Sequence, residues 1–480
     1  MLRKLGSIVA VSSSLPICAI AVVLIGGLSN VSAQTVQVLQ TNGDQSLLLA
    51  TQPSVTFGSK TSNRTSITVN DGTKYQTMDG FGAAFTDSST YLIYNKLTST
   101  QRSSLMTSLF STASGAGMSM MRLPMGATDF AVSGNYTYDD TSNCAPDTSL
   151  TNFSIAHDTT YTIPVIQQAL SLYPSMKIEA LPWSPPAWMK TTCTMNGGNF
   201  NMNYLTPLAN YFVKFVQGYK SYNIPITYLA VQNEPLNSTT SYPSESLADT
   251  DEANIIANDL GPALQTNGLS AQIITYDHNW NNYSYPENVL SNSAAYANTV
   301  GSSFHCYSGT PSDQNYVEKA YPAKGIWFTE CSGSVGSKFQ NDLVWNEQNL
   351  FIGAVRDYAK SVLLWNLALD QNSGPKNGGC TNCRGVVTIN DSTSPATIAY
   401  NVEYYVIGQS AKWVQQGAYR IDSNNPSNSL IDVAFLNPDG THVLVVCNTA
   451  SSTSSTFEVV YNNSGFTYTL PHQSVVTFKW

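Results

Sequence analysis

Eight short apolar runs, each followed by a stretch with room for a helix, constrain this 480-residue chain more than any other feature. The runs cover residues 78–85, 118–123, 177–182, 226–232, 271–276, 300–305, 325–329 and 361–366. Their β-branched, aromatic and other apolar residues suit strands buried on both faces. Between them, Leu208, Tyr211, Phe212, Phe215, Val216 and Tyr219 recur at three- and four-residue steps, which gives one apolar helix face. Alternation of strand and helix over about 290 residues predicts an α/β fold, a (β/α)8 TIM barrel. Residues 34–75 and the chain from about Glu403 onward read instead as short alternating strands with turn signals at Asp71-Gly72 and Asn437-Pro438-Asp439-Gly440. These two ends are expected to build one side β-sandwich, because either alone makes a poor two-layer core. The expected division is a leader at 1–33, sandwich strands at 34–75, the barrel at 76–400 and the rest of the sandwich at 401–480.

Two of the runs end on a carboxylate. Thr227-Tyr228-Leu229-Ala230-Val231 leads into Gln232-Asn233-Glu234-Pro235, and Gly325-Ile326-Trp327-Phe328-Thr329 ends on Glu330. These are the fourth and seventh runs, and strands three steps apart face each other across a barrel mouth, so the two carboxylates are expected to converge at the C-terminal rim. Such a pair suits retaining glycoside hydrolysis, in which one carboxylate attacks the anomeric carbon and the other protonates the leaving oxygen. Other strand ends carry residue types that hold sugars: Arg122 and Asp129 after run two, Trp183 after run three, Asn233 beside Glu234, His305 and Tyr307 at run six, and Trp365 with Asn366 at run eight. Indole faces stack on pyranose rings, and Asp, Arg and Asn reach hydroxyls. Arg122 could instead pair with Asp129, and either Trp could simply pack. His305-Cys306-Tyr307 is a poor Cys/His nucleophile, since adjacent strand residues point to opposite faces.

With 42% hydrophobic residues the chain can bury a large core, and its net charge of −9 with no Lys/Arg cluster disfavours a nucleic-acid partner. Arg3 and Lys4, the apolar run 17–28 and Val31-Ser32-Ala33 read as a cleavable signal peptide. A run of about 12 residues falls short of the ~20 needed to span a bilayer, so stable membrane insertion is not expected. Asn-X-Ser/Thr triplets at Asn63, Asn135, Asn152, Asn237, Asn282, Asn390 and Asn462 agree with a secreted, extracellular glycoprotein. Beyond Cys18 in the leader, seven cysteines remain, so at least one is unpaired; Cys380 and Cys383 read as a local disulfide. Five histidines without ligand spacing give no metal site, and nothing calls for a cofactor.

The stretches Met78-Asp79-Gly80-Phe81-Gly82-Ala83-Ala84-Phe85-Thr86-Asp87, Met121-Arg122-Leu123-Pro124-Met125, Leu181-Pro182-Trp183-Ser184-Pro185-Pro186, Gln232-Asn233-Glu234-Pro235, Phe328-Thr329-Glu330-Cys331 and Trp365-Asn366-Leu367-Ala368-Leu369 resemble glycoside hydrolase family 30. That family holds glucosylceramidases and microbial endo-β-1,6-glucanases. The resemblance implies that Glu234 is the acid/base and Glu330 the nucleophile, and that Arg122, Asp129, Trp183, Asn233, Tyr307 and Trp365 hold the sugar. Glu234-Pro235-Leu236-Asn237, Tyr276-Asp277-His278-Asn279, His305-Cys306-Tyr307 and the segment from Gly378-Gly379-Cys380 through Cys383-Arg384-Gly385 look like the glucanase branch. Animal glucosylceramidases carry Trp where Cys306 stands. The expected substrate is therefore a β-glucan polysaccharide or oligosaccharide, with a glucosylated lipid as alternative and a non-catalytic carbohydrate-binding role as a further one. The chain is expected to work as a monomer. Donation of a proton by Glu234 would require its pKa to be raised, by the charge of Glu330 and by desolvation among Trp183, Tyr307 and Trp365.

Overall fold

All eight expected runs form parallel strands of one sheet: β1 (Gly80–Ala83), β2 (Met120–Pro124), β3 (Lys177–Leu181), β4 (Tyr228–Ala230), β5 (Gln272–Asn279), β6 (Thr299–His305), β7 (Gly325–Glu330) and β8 (Ala359–Leu364). Each pairs with the next in sequence from β2 to β8, β8 pairs with β1, and a bridge between Ala84 and Arg122 joins β1 to β2. The computed structural model describes residue 10 and residues 34–480 apart from 62, 63 and 428. The expected leader at 1–33 (residue 10 apart), Cys18 and the triplet at Asn63 lie outside the described residues. From Gln34 to Trp480 the chain is one compact unit.

The barrel interior is filled in layers, as closure of eight tilted strands requires. Met120, Tyr228, Ile274, Trp327 and Leu363 form one buried cluster. Nearby, the carboxylate of Asp79 accepts from Lys177 Nζ at 2.5 Å, Tyr228 Oη at 2.7 Å and Trp327 Nε1 at 2.8 Å, which ties β3, β4 and β7 together. A second cluster contains Ala84, Phe130, Leu181, Trp183, Ala230, Trp365 and Leu369. Ala84, Trp183 and Trp365 follow the C-terminal ends of their strands, so this cluster forms the floor beneath the rim. Outside the ring, the helix Leu205–Ser221 buries the predicted face, Leu208, Tyr211, Phe212, Phe215, Val216 and Tyr219 included.

Both chain ends contribute to the side sandwich. Thr35–Asn42 pairs with Ser474–Lys479, followed by His442–Asn448, Leu430–Leu436 and Tyr419–Ser423, while Ser455–Tyr461 and Ser464–Leu470 continue from the start of Ser66–Thr77. Val36, Phe57, Ile67, Phe457, Phe466, Phe478 and Trp480 are among the residues that fill its core. Two expectations are corrected here. Asp71-Gly72 is not a turn between strands: it lies inside the strand Ser66–Thr77, where pairing with Tyr419–Ser423 jumps from Lys74 to Asn70, a bulge that lets one strand serve both parts of the sheet. Strand structure also does not begin at about Glu403. Val402–Ala411 is a helix, with Val402, Val406 and Ile407 buried at helical spacing. Through it Gln409 donates to Thr41 Oγ1 at 2.8 Å and accepts from Thr477 Oγ1, locking barrel to sandwich.

Candidate active site

β4 ends at Ala230, and the chain leaves it through Gln232-Asn233-Glu234-Pro235. Asn233 N donates to Pro182 O at 2.9 Å and Glu234 N to Asp277 O at 3.0 Å, so the segment stays stitched to both neighbouring strand ends after regular pairing stops. Glu234 adopts a left-handed φ of 46°, a conformation that a non-glycine residue keeps only when its surroundings impose it. Opposite it, Glu330 is the last residue of β7 and is in register with His305 at the end of β6. Carboxylate oxygens of Glu234 and Glu330 and a ring nitrogen of His305 lie within 4.8 Å of one another. The two strand-end carboxylates have converged.

They line a cavity of about 880 Å³ together with Asp129, Trp183, Asn233, Tyr307 and Trp365. Three other expected residues sit elsewhere. Arg122 is fully buried below the carboxylates; it donates to Glu330, to Asn233 Oδ1 at 2.6 Å and to Asp277, and so does not neutralise Asp129. His305, also fully buried, lies behind Glu234, with Nδ1 3.2 Å from Glu234 Oε1 and Nε2 3.4 Å from Asp277 Oδ2. Asn366 is buried away from the cavity lining, and neither polar atom of its amide has a protein partner among the described residues. None of the three can touch a sugar in this arrangement. The indoles also differ from expectation: Trp183 and Trp365 stack on each other at 4.9 Å between ring centres, with Arg122 4.7 Å from the Trp183 ring, and each is 3% exposed. Their faces are largely spent on each other, and what they supply is a rigid apolar floor.

Each oxygen of the pair has a partner. Glu330 accepts from Arg122 and from Tyr307 Oη at 2.9 Å; Glu234 accepts from Asn237 Nδ2 at 2.7 Å and faces His305, with His278 Nε2 at 3.9 Å. Burial pushes the Glu234 carboxyl up, but the hydrogen bond and charge of His305, then His278 and Asn237, outweigh it and hold the group at about 2. Burial pulls His305 down, yet Glu330, Asp277 and its hydrogen bonds raise it to about 10. This overturns the expectation of a raised Glu234: in the free enzyme the proton is on the imidazole, because His305 lies among three acidic groups while Glu234 lies between two imidazoles and an amide. Glu330 is pushed up by burial and only partly restored by His305 and Arg122, and Asp129 is pushed well up by burial and by both glutamates. Donor atoms of Glu234, His305 and Glu330 converge closely enough for a metal ion. They are committed to one another, to Tyr307 and to Arg122, whose positive charge beside Glu330 opposes a second cation.

Asp277 and His278 are the residues that sequence reasoning missed as site groups. The polar end of β5, Tyr276-Asp277-His278-Asn279, was the available signal, since the strand continues three residues past the apolar run. Cys306 is joined to Cys331, Cys144 to Cys193 and Cys380 to Cys383, with Cys447 buried and unpaired among the described residues, so Cys306 offers no thiolate nucleophile.

Residues 78–392 match the glycosyl hydrolase family 30 TIM-barrel domain and residues 417–478 the glycosyl hydrolase family 30 beta sandwich domain. The chain belongs to glycosyl hydrolase family 30. It is a glycosidase by that membership. An endo-1,6-beta-D-glucanase of Neurospora crassa is 34% identical over 82% of this chain and 86% of its own length. The lysosomal acid glucosylceramidase of Mus musculus is 31% identical over 89% of this chain and 86% of its own. Among solved structures, an endo-beta1,6-glucanase superposes with a TM-score of 0.86 at 32% identity, covering 93% of this chain and 99% of the other.

Proposed function

We propose that this family 30 glycosidase cleaves β-1,6-linked glucan internally, with retention of configuration, using Glu330 as nucleophile and Glu234 as acid/base. The observation that carries the mechanism is the spacing of the carboxylates, whose oxygens lie within 4.8 Å of one another; retaining enzymes hold them about 5 Å apart, and inverting enzymes leave room for a water between. In the first step a Glu330 oxygen attacks the anomeric carbon while the glycosidic oxygen departs with a proton from Glu234. In the second, water attacks that carbon, its proton passes to Glu234 and Glu330 is released. His305 reaches no substrate, so it supplies its proton through Glu234 Oε1, 3.2 Å from Nδ1. With Oδ1 of Asn233 held by Arg122, its Nδ2 is free to donate to the sugar 2-hydroxyl, a bond that strengthens as positive charge develops at the anomeric carbon. Asp129, pushed well up, donates as a neutral acid to another hydroxyl.

The glucan reading is supported by the endo-1,6-glucanases among the relatives and by an open pocket rim on which Leu236 and Tyr307, each 47% exposed, offer apolar surface to further sugar rings. Glucosylceramide is the second reading, favoured by the mouse relative. Secretion as a glycosylated monomer fits the three disulfides, which persist in oxidising compartments. Among the described residues no helix is long and apolar enough to cross a membrane. Incubation with the linear β-1,6-glucan pustulan and, separately, with detergent-dispersed glucosylceramide tests the assignment. Release of a ladder of oligosaccharides from pustulan supports it. Turnover of the lipid with no release from pustulan would transfer the assignment to the second reading.

A further inference from the structure

One of the glycosylation triplets opens inside the cavity. Asn237, first residue of Asn237-Ser238-Thr239, lines the same cavity as Glu234. A turn closed by Asn237 N on Glu234 O at 2.8 Å folds its side chain back over the carboxylate. Its Nδ2 donates to Glu234 Oε2 at 2.7 Å and to Tyr242 Oη at 3.1 Å, so both amide hydrogens are used. His305 occupies the other oxygen of Glu234. The two partners differ in kind: an imidazolium can hand over a proton, whereas a carboxamide donates a hydrogen bond without giving up its hydrogen. Oε2 is thereby kept as an acceptor, and the exchangeable proton is confined to the Oε1 side.

We propose that Asn237 is a positioning residue for Glu234, and that N-glycosylation of its own triplet is incompatible with catalysis. This rests on the assignment of Glu234 as acid/base. Transfer of an oligosaccharide from a lipid diphosphate donor forms an Nδ2–C1 bond, breaks the C1–phosphate bond and removes one Nδ2 proton. The single remaining hydrogen cannot serve both Glu234 and Tyr242, and the first sugar would stand in the cavity beside Leu236. Asn135, Asn152 and Asn462, in contrast, are exposed and are not among the residues that line the cavity.

Two variants test this in the full chain. Asn237→Ala should lower kcat/KM by about 10- to 100-fold for an aryl β-glucoside with a poor leaving group, the range expected for one lost charge-assisted hydrogen bond. For a dinitrophenyl glucoside, which needs little protonation, the loss should stay under about threefold. An equal fall on both substrates, or none on either, overturns the positioning role. Glu234→Gln, run alongside, separates the two claims. A leaving-group split in Glu234→Gln without one in Asn237→Ala refutes only the role of Asn237; no split in Glu234→Gln refutes the assignment beneath it. Thr239→Ala destroys the triplet and leaves Asn237 intact. After expression in a glycosylating host, peptide mass spectrometry of molecules trapped by a 2-deoxy-2-fluoroglucosyl inhibitor should find Asn237 unmodified, and Thr239→Ala should label at least as completely as the parent. Trapped molecules that carry a glycan on Asn237 would overturn the incompatibility.

Discussion

Replacing His305 by Gln separates two accounts of the acid proton by the sign of a pH shift. Gln keeps a hydrogen-bond donor near Glu234 and removes the titratable cation. In the native arrangement Glu234 and His305 share one proton, and it stays with the pair until His305, held at about 10, releases it. Without the imidazolium, Glu234 alone must hold the proton. Its ordinary value is 4.5, and the imidazoles and Asn237 bring it to about 2 against the opposing effect of burial, a net preference for the anion of about 3 kcal/mol. Loss of the largest of these contributions leaves burial to place the carboxyl between its ordinary value and ~7. The alkaline limb of kcat/KM should therefore move down by roughly 3–5 pH units. A Glu234 that titrated independently would respond in the opposite direction, because removing a neighbouring cation raises a carboxyl pKa. The assay is kcat/KM against pH on an activated aryl β-glucoside, with thermal melting to verify the fold. An alkaline limb that stays in place or moves up refutes proton storage on His305.

Arg122→Lys keeps one charge but cannot hold Glu330, Asn233 and Asp277 at once. Glu330, already pushed up by burial, should rise further, and since the proposed nucleophile must be ionised the acid limb should move up by about 1–2 pH units; an unchanged limb in the pH profile would mean that Arg122 does not support Glu330 in that proposed role. Glu347 is fully buried, and neither carboxyl oxygen has a partner among the described residues. Burial raises its pKa well above 4.5 in the folded state, so below that value both states are protonated, and as pH rises the unfolded state alone releases its proton and stability falls. Glu347→Met should therefore change stability little at pH 4 and add up to about 3 kcal/mol at pH 7; equal gains in denaturant unfolding at the two pH values would show that Glu347 is not held neutral.

The barrel was legible because its eight strands are short apolar runs whose period differs from that of the helices between them. Glu234 and Glu330 stood out because each ends such a run, and strand spacing alone placed them across from one another. Legibility stopped where partners come from distant strands. Nothing local to Arg122 says that it lies under Glu330 and Asp277 rather than beside Asp129, and nothing local to His305 says that a second carboxylate waits behind it. Trp183 and Trp365 are 182 positions apart in sequence, and only closure of the barrel stacks them. Asp277 and His278 were obscured because β5 runs on through polar residues after its apolar pattern has ended. Asn237 stood only among the glycosylation triplets and in the stretch after Glu234, and nothing local says that the turn folds it back over the carboxylate.

The central claim is that Glu330 attacks the anomeric carbon while Glu234 assists, so that β-linked glucan is cleaved internally through a covalent intermediate. Proton NMR of pustulan during the first minutes of hydrolysis tests it most directly. The β-anomer of the new reducing end should form first and mutarotate to the equilibrium mixture, and Glu330→Gln should give no anomeric signal above background. An α-anomer at the earliest time points, or normal turnover by Glu330→Gln, would contradict the account.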